Sequence, residues 1–568
     1  MRPLAPAAAL VLSLSACAGP APSGVADGWK FAGKAIVTDA PTAVVVSGSP
    51  IASRVGRDIL QAGGNAVDAA VAVGFALAVV HPEAGNIGGG GFMLYREAGG
   101  AVYALDYREM APSGASRDMY LEPDGDPNDL SVTGALAAAV PGSVAGLIEA
   151  HRRFGRLPFA DVINPAIALA NDGFLVDEYR TESIGDEMSR LYLFPASRAQ
   201  FLPGGHPPQP GTTFVQRDLG RTLELIRDKG AAGFYTGRTA DLIVAEMERS
   251  GGLITHADLA NYKAYWRDPI LLTYRGDTIY SMPPASSGGT TMGMILNIME
   301  GYSPLPPFGS AELMHLESEA MARAFMDRNA YLGDPGFVHN PVEQLLSKQY
   351  AAERRATINP KRATPPEELR PGLKDGPSTT HYSIVDGEGN AVSITTTLNN
   401  SYGSGVTVAG AGFLLNDEMD DLASAPGRPN MYGLVQGDSN AIQPGKRPLS
   451  AMTPSMVVGP DGQLRLVVGT PGGPRIITMV YHVISNILDH GMTLPEAVTA
   501  PRLHDQGLPD VVRIERGGFQ PAVIQALERM GHTVNEGGYT GDIEAIIRTP
   551  TGWQGVSDPR LGGGGAGY

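Results

Sequence analysis

Apolar positions along the chain switch between a helical period and a period of two, and each switch marks an element. Ile51, Val55 and Ile59 recur at helical spacing, and Gly63-Gly64 ends that helix. Ala66 to Val80 is apolar on nearly every side, which predicts a second helix, buried all round and stopped by His81-Pro82. The following run, Gly88 to Gly91, has no Gly-Lys-Ser/Thr behind it; it predicts close backbone packing rather than a phosphate loop. Amphipathic helices are expected at Leu219 to Arg227, Thr239 to Arg249 and Ala311 to Asp327. A strand over Asp277 to Met282 leads through Pro283-Pro284 and Gly288-Gly289 into a helix from Thr290 whose methionines face a core.

The pattern breaks between Asn359 and Pro377. Five prolines (Pro360, Pro365, Pro366, Pro371 and Pro377) alternate there with charges, which predicts an extended, exposed segment where a peptide bond is open to cleavage. Beyond it, Thr379 to Val385 and Ala391 to Leu398 read as strands joined by a hairpin turn at Asp386-Gly387-Glu388-Gly389-Asn390. A further strand, Leu464 to Val468, runs into Gly469-Thr470-Pro471-Gly472-Gly473-Pro474 and a helix from about Arg475. Glycines ahead of a helix leave backbone N–H groups bare, which suits an anion or a developing oxyanion.

Composition changes the picture at two points. The 568 residues carry 43 basic and 59 acidic side chains, a formal charge of −16, which argues against non-specific nucleic-acid binding. At the N-terminus, Met1-Arg2 and the apolar run Ala7 to Leu14 form a signal-peptide core too short to span a bilayer. Leu14-Ser15-Ala16-Cys17 resembles the bacterial lipobox, so residues 1–16 are expected to be removed and Cys17 lipidated, with residues 17–33 as a tether. A plain secretory signal is the alternative. Ala18 rather than aspartate after the cysteine points to the outer membrane facing the periplasm. Cys17 is the single cysteine, so no disulfide forms within the chain.

The chemistry concentrates at Thr379-Thr380-His381-Tyr382-Ser383. A hydroxyl is a weak nucleophile without a base beside it. Cutting the chain before a threonine supplies one, because the freed α-amine has a pKa of about 7.7–8.0. With this motif stand Gly64-Asn65-Ala66-Val67-Asp68-Ala69-Ala70, Asp106-Tyr107-Arg108-Glu109-Met110, Lys446-Arg447-Pro448-Leu449-Ser450 and Gly472-Gly473. In this order and spacing, from about Lys34 to Tyr568, the chain resembles the bacterial γ-glutamyltransferases, which are N-terminal-nucleophile hydrolases. The resemblance implies an α/β (α+β) fold, the four-layer αββα sandwich, autocleaved between Ser378 and Thr379 into two interlocked subunits, 34–378 and 379–568. No metal or cofactor is implied. The expected substrates are glutathione and other γ-glutamyl amides, with water or the amine of an amino acid or peptide as acceptor.

By the same resemblance Thr379 is the nucleophile, Thr397 orients it, and Gly472 and Gly473 supply oxyanion N–H groups. Arg108 and Ser450 hold the glutamyl α-carboxylate; Asn399, Glu418 and Asp421 hold its α-ammonium. Tyr432 belongs to a lid over Pro426 to Gly437. Taken alone, several of these residues read otherwise: Thr395-Thr396-Thr397 as strand formers, Arg108-Glu109 as a solvated ion pair, Asp420-Asp421 as a surface acidic turn. One position departs from the family, where two consecutive serines are usual and this chain has Ser450 and Ala451. A lost hydroxyl on a charged group costs roughly 1.5–3 kcal/mol, so weaker glutamyl binding is expected. The competing functions are a glutaryl- or cephalosporin-type acylase of the same family and an inactive lipid-anchored scaffold. Asp421 favours the first reading over the acylase, and intact Thr379 argues against the scaffold.

Overall fold

The computed structural model describes residues 24–365, 379–425 and 437–568. Cys17, Ser378 and Tyr432 lie outside them, as do the signal segment and nearly all of the expected lid. The helix Ala66–Val80 forms as expected, with every residue buried. Asn65 caps it by accepting from the N–H groups of Val67 and Asp68 at 3.0 Å, while Asp68 accepts from Asn65 N at 2.9 Å. With Pro50–Gln61, Ser143–Phe154 and Phe159–Asp172 it makes one helical layer.

That layer covers an antiparallel sheet of seven strands, in the order Gly564–Gly567, Val44–Ser47, Thr379–Val385, Ala391–Thr397, Gly90–Arg96, Val102–Tyr107 and Tyr265–Arg267. A second antiparallel sheet of seven packs on its other face, in the order Ile36–Ala40, Gly552–Ser557, Glu544–Thr549, Leu464–Gly469, Ser455–Val458, Asp277–Ser281 and Ile270–Tyr274. Gly288–Glu300, Ala311–Tyr331 and Arg475–Leu488 close the far side, giving the four-layer αββα sandwich. Met292, Met294 and Met299 are buried there, as their spacing predicts. Both sheets draw strands from each side of position 379, so a cut there leaves two chains interlocked in one body.

Strand alternation decides which side chains lie between the sheets. Tyr382 and Ile384 enter the helical layer, whereas His381 and Ser383 turn toward the second sheet. Ser383 Oγ donates to Glu544 O at 2.9 Å, and His381 sits between Thr395 Oγ1 at 2.9 Å and Ser383 Oγ at 3.1 Å. Burial drops the His381 pKa to about 3, so this ring is a neutral hydrogen-bonding spacer. Close packing at Gly88 and Gly89 also holds: a Cβ on either would sit 2.0 Å from a carbonyl oxygen, of Leu414 or Thr397.

The structure corrects some expectations. The helix expected from Thr290 begins at Gly288, and the one expected to end at Asp327 runs on to Tyr331. Residues 24–33, expected as part of a tether, are packed on the body. Trp29 is buried and its indole N–H donates to Thr499 O at 2.7 Å, while Val25 bridges to Phe519. Small polar neighbours masked an aromatic anchor, which the burial of two large rings, Trp29 and Phe31, explains. No helix among the described residues is long and apolar enough to cross a membrane.

Candidate active site

The hairpin brings its two threonines together. Asp386 Oδ1 accepts from the N–H groups of Glu388 and Asn390 at 2.9 Å, and Gly389 takes a φ of +89°, so the turn is fixed and the register with it. Thr379 then stands opposite Thr397, and their hydroxyl oxygens are 3.4 Å apart. Thr397 Oγ1 accepts from Asn399 N at 2.8 Å, which holds the hydroxyl in place beside Thr379. Asn399 itself adopts φ +76° and donates from Nδ2 to Asp417 O at 2.9 Å.

Thr379 opens onto a small cavity between the sheet ends. Arg108, emerging from the end of Val102–Tyr107, is fully buried in its wall. Its Nε donates to Pro448 O at 3.1 Å, Nη1 to Glu109 at 3.3 Å and to Glu418, and Nη2 to Asp421. Burial works against this guanidinium, yet Glu418 and Asp421 hold its pKa above the ordinary arginine value. Burial raises Glu418 well above the usual carboxylate range and lifts Glu109 to about 7, with Arg108 opposing in both cases.

The opposite wall is the loop from Leu449 to Met452 and the start of the helix Arg475–Leu488. Ser450 N donates to Ala285 O at 2.9 Å, and Ser450 O accepts from both the N–H and the hydroxyl of Ser287, at 2.8 and 2.5 Å. Gly472 and Gly473 have φ of +138° and +55°, a backbone that glycine adopts without strain. Gly473 lines the cavity; Gly472 stands one residue behind it.

Thr379, Thr397, Asn399, Arg108, Glu418, Asp421, Ser450 and Gly473 therefore converge on one space, with Ala451 beside Ser450. The stand-alone readings of the acidic and basic residues are overturned. Arg108-Glu109 is a buried pair, and Asp420-Asp421 is buried too, Asp420 accepting from Ser131 Oγ at 2.7 Å.

The gamma-glutamyltranspeptidase family model matches residues 52–568. The chain belongs to the gamma-glutamyltranspeptidase family. It is 48% identical over 530 residues to a glutathione hydrolase proenzyme of Pseudomonas sp. (strain A14), covering 92% of this chain and 90% of that protein. It is 47% identical to the glutathione hydrolase proenzyme of Escherichia coli (strain K12), covering 91% and 90%. Among solved structures, a cephalosporin acylase from Bacillus halodurans superposes with a TM-score of 0.81 at 29% identity, covering 94% of this chain and 97% of that one. The N-terminal-nucleophile hydrolase sandwich is thus the fold of this gamma-glutamyltranspeptidase family member.

One charged lining residue escaped the sequence reading. Arg328, near the end of Ala311–Tyr331, is fully buried and borders the same cavity. Its signal was present: from Leu313 to Asn329 that helix has no exposed position, so a charge on it needs a partner inside. Away from this cavity, His315, Glu319 and His532 converge closely enough to hold a cation. Their atoms already serve one another, since His315 contacts His532 and Asn359 O at 2.7 Å and Glu319 pairs with Arg323 at 2.7 Å. That cluster is a closed hydrogen-bond network.

Proposed function

We propose that this chain is a γ-glutamyl hydrolase and transferase that matures by cutting itself between Ser378 and Thr379. The observation that carries the reading is the convergence of a paired threonine with one buried arginine and two carboxylates in a single cavity. In maturation Thr379 Oγ attacks the Ser378 carbonyl, the acyl group moves from N to O, and water opens the ester. This leaves a carboxylate on Ser378 and a free amine on Thr379. In turnover that amine takes the hydroxyl proton as Oγ attacks the substrate's γ-carbonyl, and returns it to the departing amine. The Gly473 and Gly472 N–H groups stabilise the oxyanion, an effect of about 2.7–4 kcal/mol per donor. Water or an amine then resolves the Thr379 ester, yielding glutamate or a new γ-glutamyl amide.

Glutathione and related γ-glutamyl amides present an α-carboxylate and an α-ammonium, and the cavity offers guanidinium and carboxylate groups to match. A glutaryl substrate lacks the ammonium and would leave Glu418 and Asp421 in excess. Residues 1–16 are read as an export signal and Cys17 as a lipid attachment point at the outer membrane. Loss of labelled-lipid incorporation in Cys17→Ala is the expected result, and unchanged incorporation defeats that part.

The main test is intact mass beside turnover, for wild type and Thr379→Ala. Wild type should split between Ser378 and Thr379 and release aniline faster from a γ-glutamyl than from a glutaryl anilide; Thr379→Ala should remain whole and inactive. An uncut, inactive wild type would overturn the reading.

A further inference from the structure

Two arginines on the buried helix Ala311–Tyr331 are treated differently. Arg323 is fully engaged: Nε donates to Thr357 Oγ1, Nη1 to Glu319, and Nη2 to Thr357 O and Thr364 Oγ1. Arg328 donates from Nε to Ser287 Oγ at 2.8 Å and from Nη1 to Asn329 Oδ1 at 2.9 Å, while Nη2 is buried with no hydrogen-bond partner among the described residues. Among the described residues no carboxylate hydrogen-bonds it, Asp421 acting on it only through space, and it borders the cavity that holds Thr379. Burial lowers its pKa to about 10, so it remains charged at neutral pH. A buried cation with an unfilled donor and no hydrogen-bonded carboxylate among the described residues is costly, and an anionic ligand group would offset that cost.

The neighbours say which part of a ligand it meets. Ser287, which receives Arg328 Nε, donates its own hydroxyl to Ser450 O, so guanidinium and Ser450 share one wall. Beside them Ala451 has no hydroxyl to offer. Arg108 is already engaged by Glu418, Asp421, Glu109 and Pro448, whereas Arg328 keeps uncommitted donors.

We propose that Arg328 binds the α-carboxylate of the γ-glutamyl substrate directly, its Nη2 donating where residue 451 contributes nothing. The inference rests on the γ-glutamyl reading above and makes Arg328 a specificity-determining residue of that site.

The test compares three anilides on the self-cleaved, full-length enzyme: γ-glutamyl, glutaryl (no α-ammonium) and 4-aminobutyryl (no α-carboxylate). Arg328→Met should raise KM for the γ-glutamyl and glutaryl substrates by about tenfold to a hundredfold, the size of a charged hydrogen bond. It should leave kcat/KM for the 4-aminobutyryl substrate within about twofold, again well below the effect of one charged hydrogen bond. Arg328→Lys should recover part of the loss.

Equal losses on all three with Arg328→Met would overturn the proposal and leave Arg328 as loop support, and unchanged KM would overturn it outright. Should Arg328→Met fail to mature, the same three-substrate comparison on Arg328→Lys decides. A wild type that ignores the γ-glutamyl anilide would instead defeat the functional reading beneath it.

Discussion

Asp106 and Glu109 stand three positions apart, both are fully buried, and both face arginine, yet their carboxyl groups move in opposite directions. Burial pushes Asp106 up, but Arg447 at 2.7 Å, Arg267 at 2.7 Å and the Arg108 N–H at 3.0 Å overcome it, and its pKa falls below the ordinary aspartate value. Glu109 meets Arg108 at 3.3 Å, shares that arginine with Glu418 and Asp421, and rises to about 7 because burial outweighs the arginine. Glu109 Oε1 and Glu418 Oε2 have no hydrogen-bond partner among the described residues. A buried charge cluster that closes on itself is structural. One that stays under-satisfied beside a cavity is arranged for a charged ligand.

The largest effect should come from opening the closed cluster. Asp106→Asn leaves Arg447 facing a neutral group, and breaking a buried pair in this way costs about 3–5 kcal/mol. The melting temperature should fall clearly, with KM unchanged in the protein that remains folded; a raised KM at unchanged stability would erase the distinction. Next is the open cluster, in which Asp421→Asn should do the reverse. KM for a γ-glutamyl anilide should rise by about tenfold to a hundredfold, the size of a lost charged hydrogen bond, with little change in melting temperature.

That same contrast sets what could be seen in the sequence. Elements were legible where local signals agreed: Ala66–Val80 was recoverable because apolar residues fill every side and Asn65 with Asp68 caps it. The Thr379–Thr397 pairing followed from hairpin arithmetic across a short polar turn. The charged residues were not legible from spacing, since Arg108, Glu418 and Arg328 lie far apart in the chain and burial comes from two sheets and a helix meeting. Family register placed Arg108 and Glu418 in one site. It had nothing to say about Arg328, whose meaning depends on one uncommitted nitrogen.

A smaller effect should sharpen the open side. Ala451 lines the cavity beside Ser450, where a hydroxyl would meet the same charged ligand group. Ala451→Ser should lower KM for γ-glutamyl substrates by up to about tenfold, since a new hydrogen bond to a charged group rarely adds more. The gain should be reduced in an Arg328→Met background if both groups serve one carboxylate, so the two substitutions are best measured as a cycle.

The smallest effect tests the two carboxyls themselves through pH. Glu109 binds its proton more tightly when folded, about 7 against 4.5 in the open chain, so between those values the native state keeps a proton that the unfolded chain has released. Its contribution is therefore fully present below about pH 4.5 and is lost as pH rises through about 7. Asp106 has the opposite sign: its lowered pKa gives stability that is present above the unfolded value of 3.8 and is lost as pH falls through the folded one. Glu109→Gln should thus flatten the decline in melting temperature between pH 5 and 7 without altering the acid limb, and Asp106→Asn should weaken the acid limb and spare the neutral one. Identical pH profiles for the two variants would mean that the clusters titrate as one unit, and the division between closed and open charge would have to be given up.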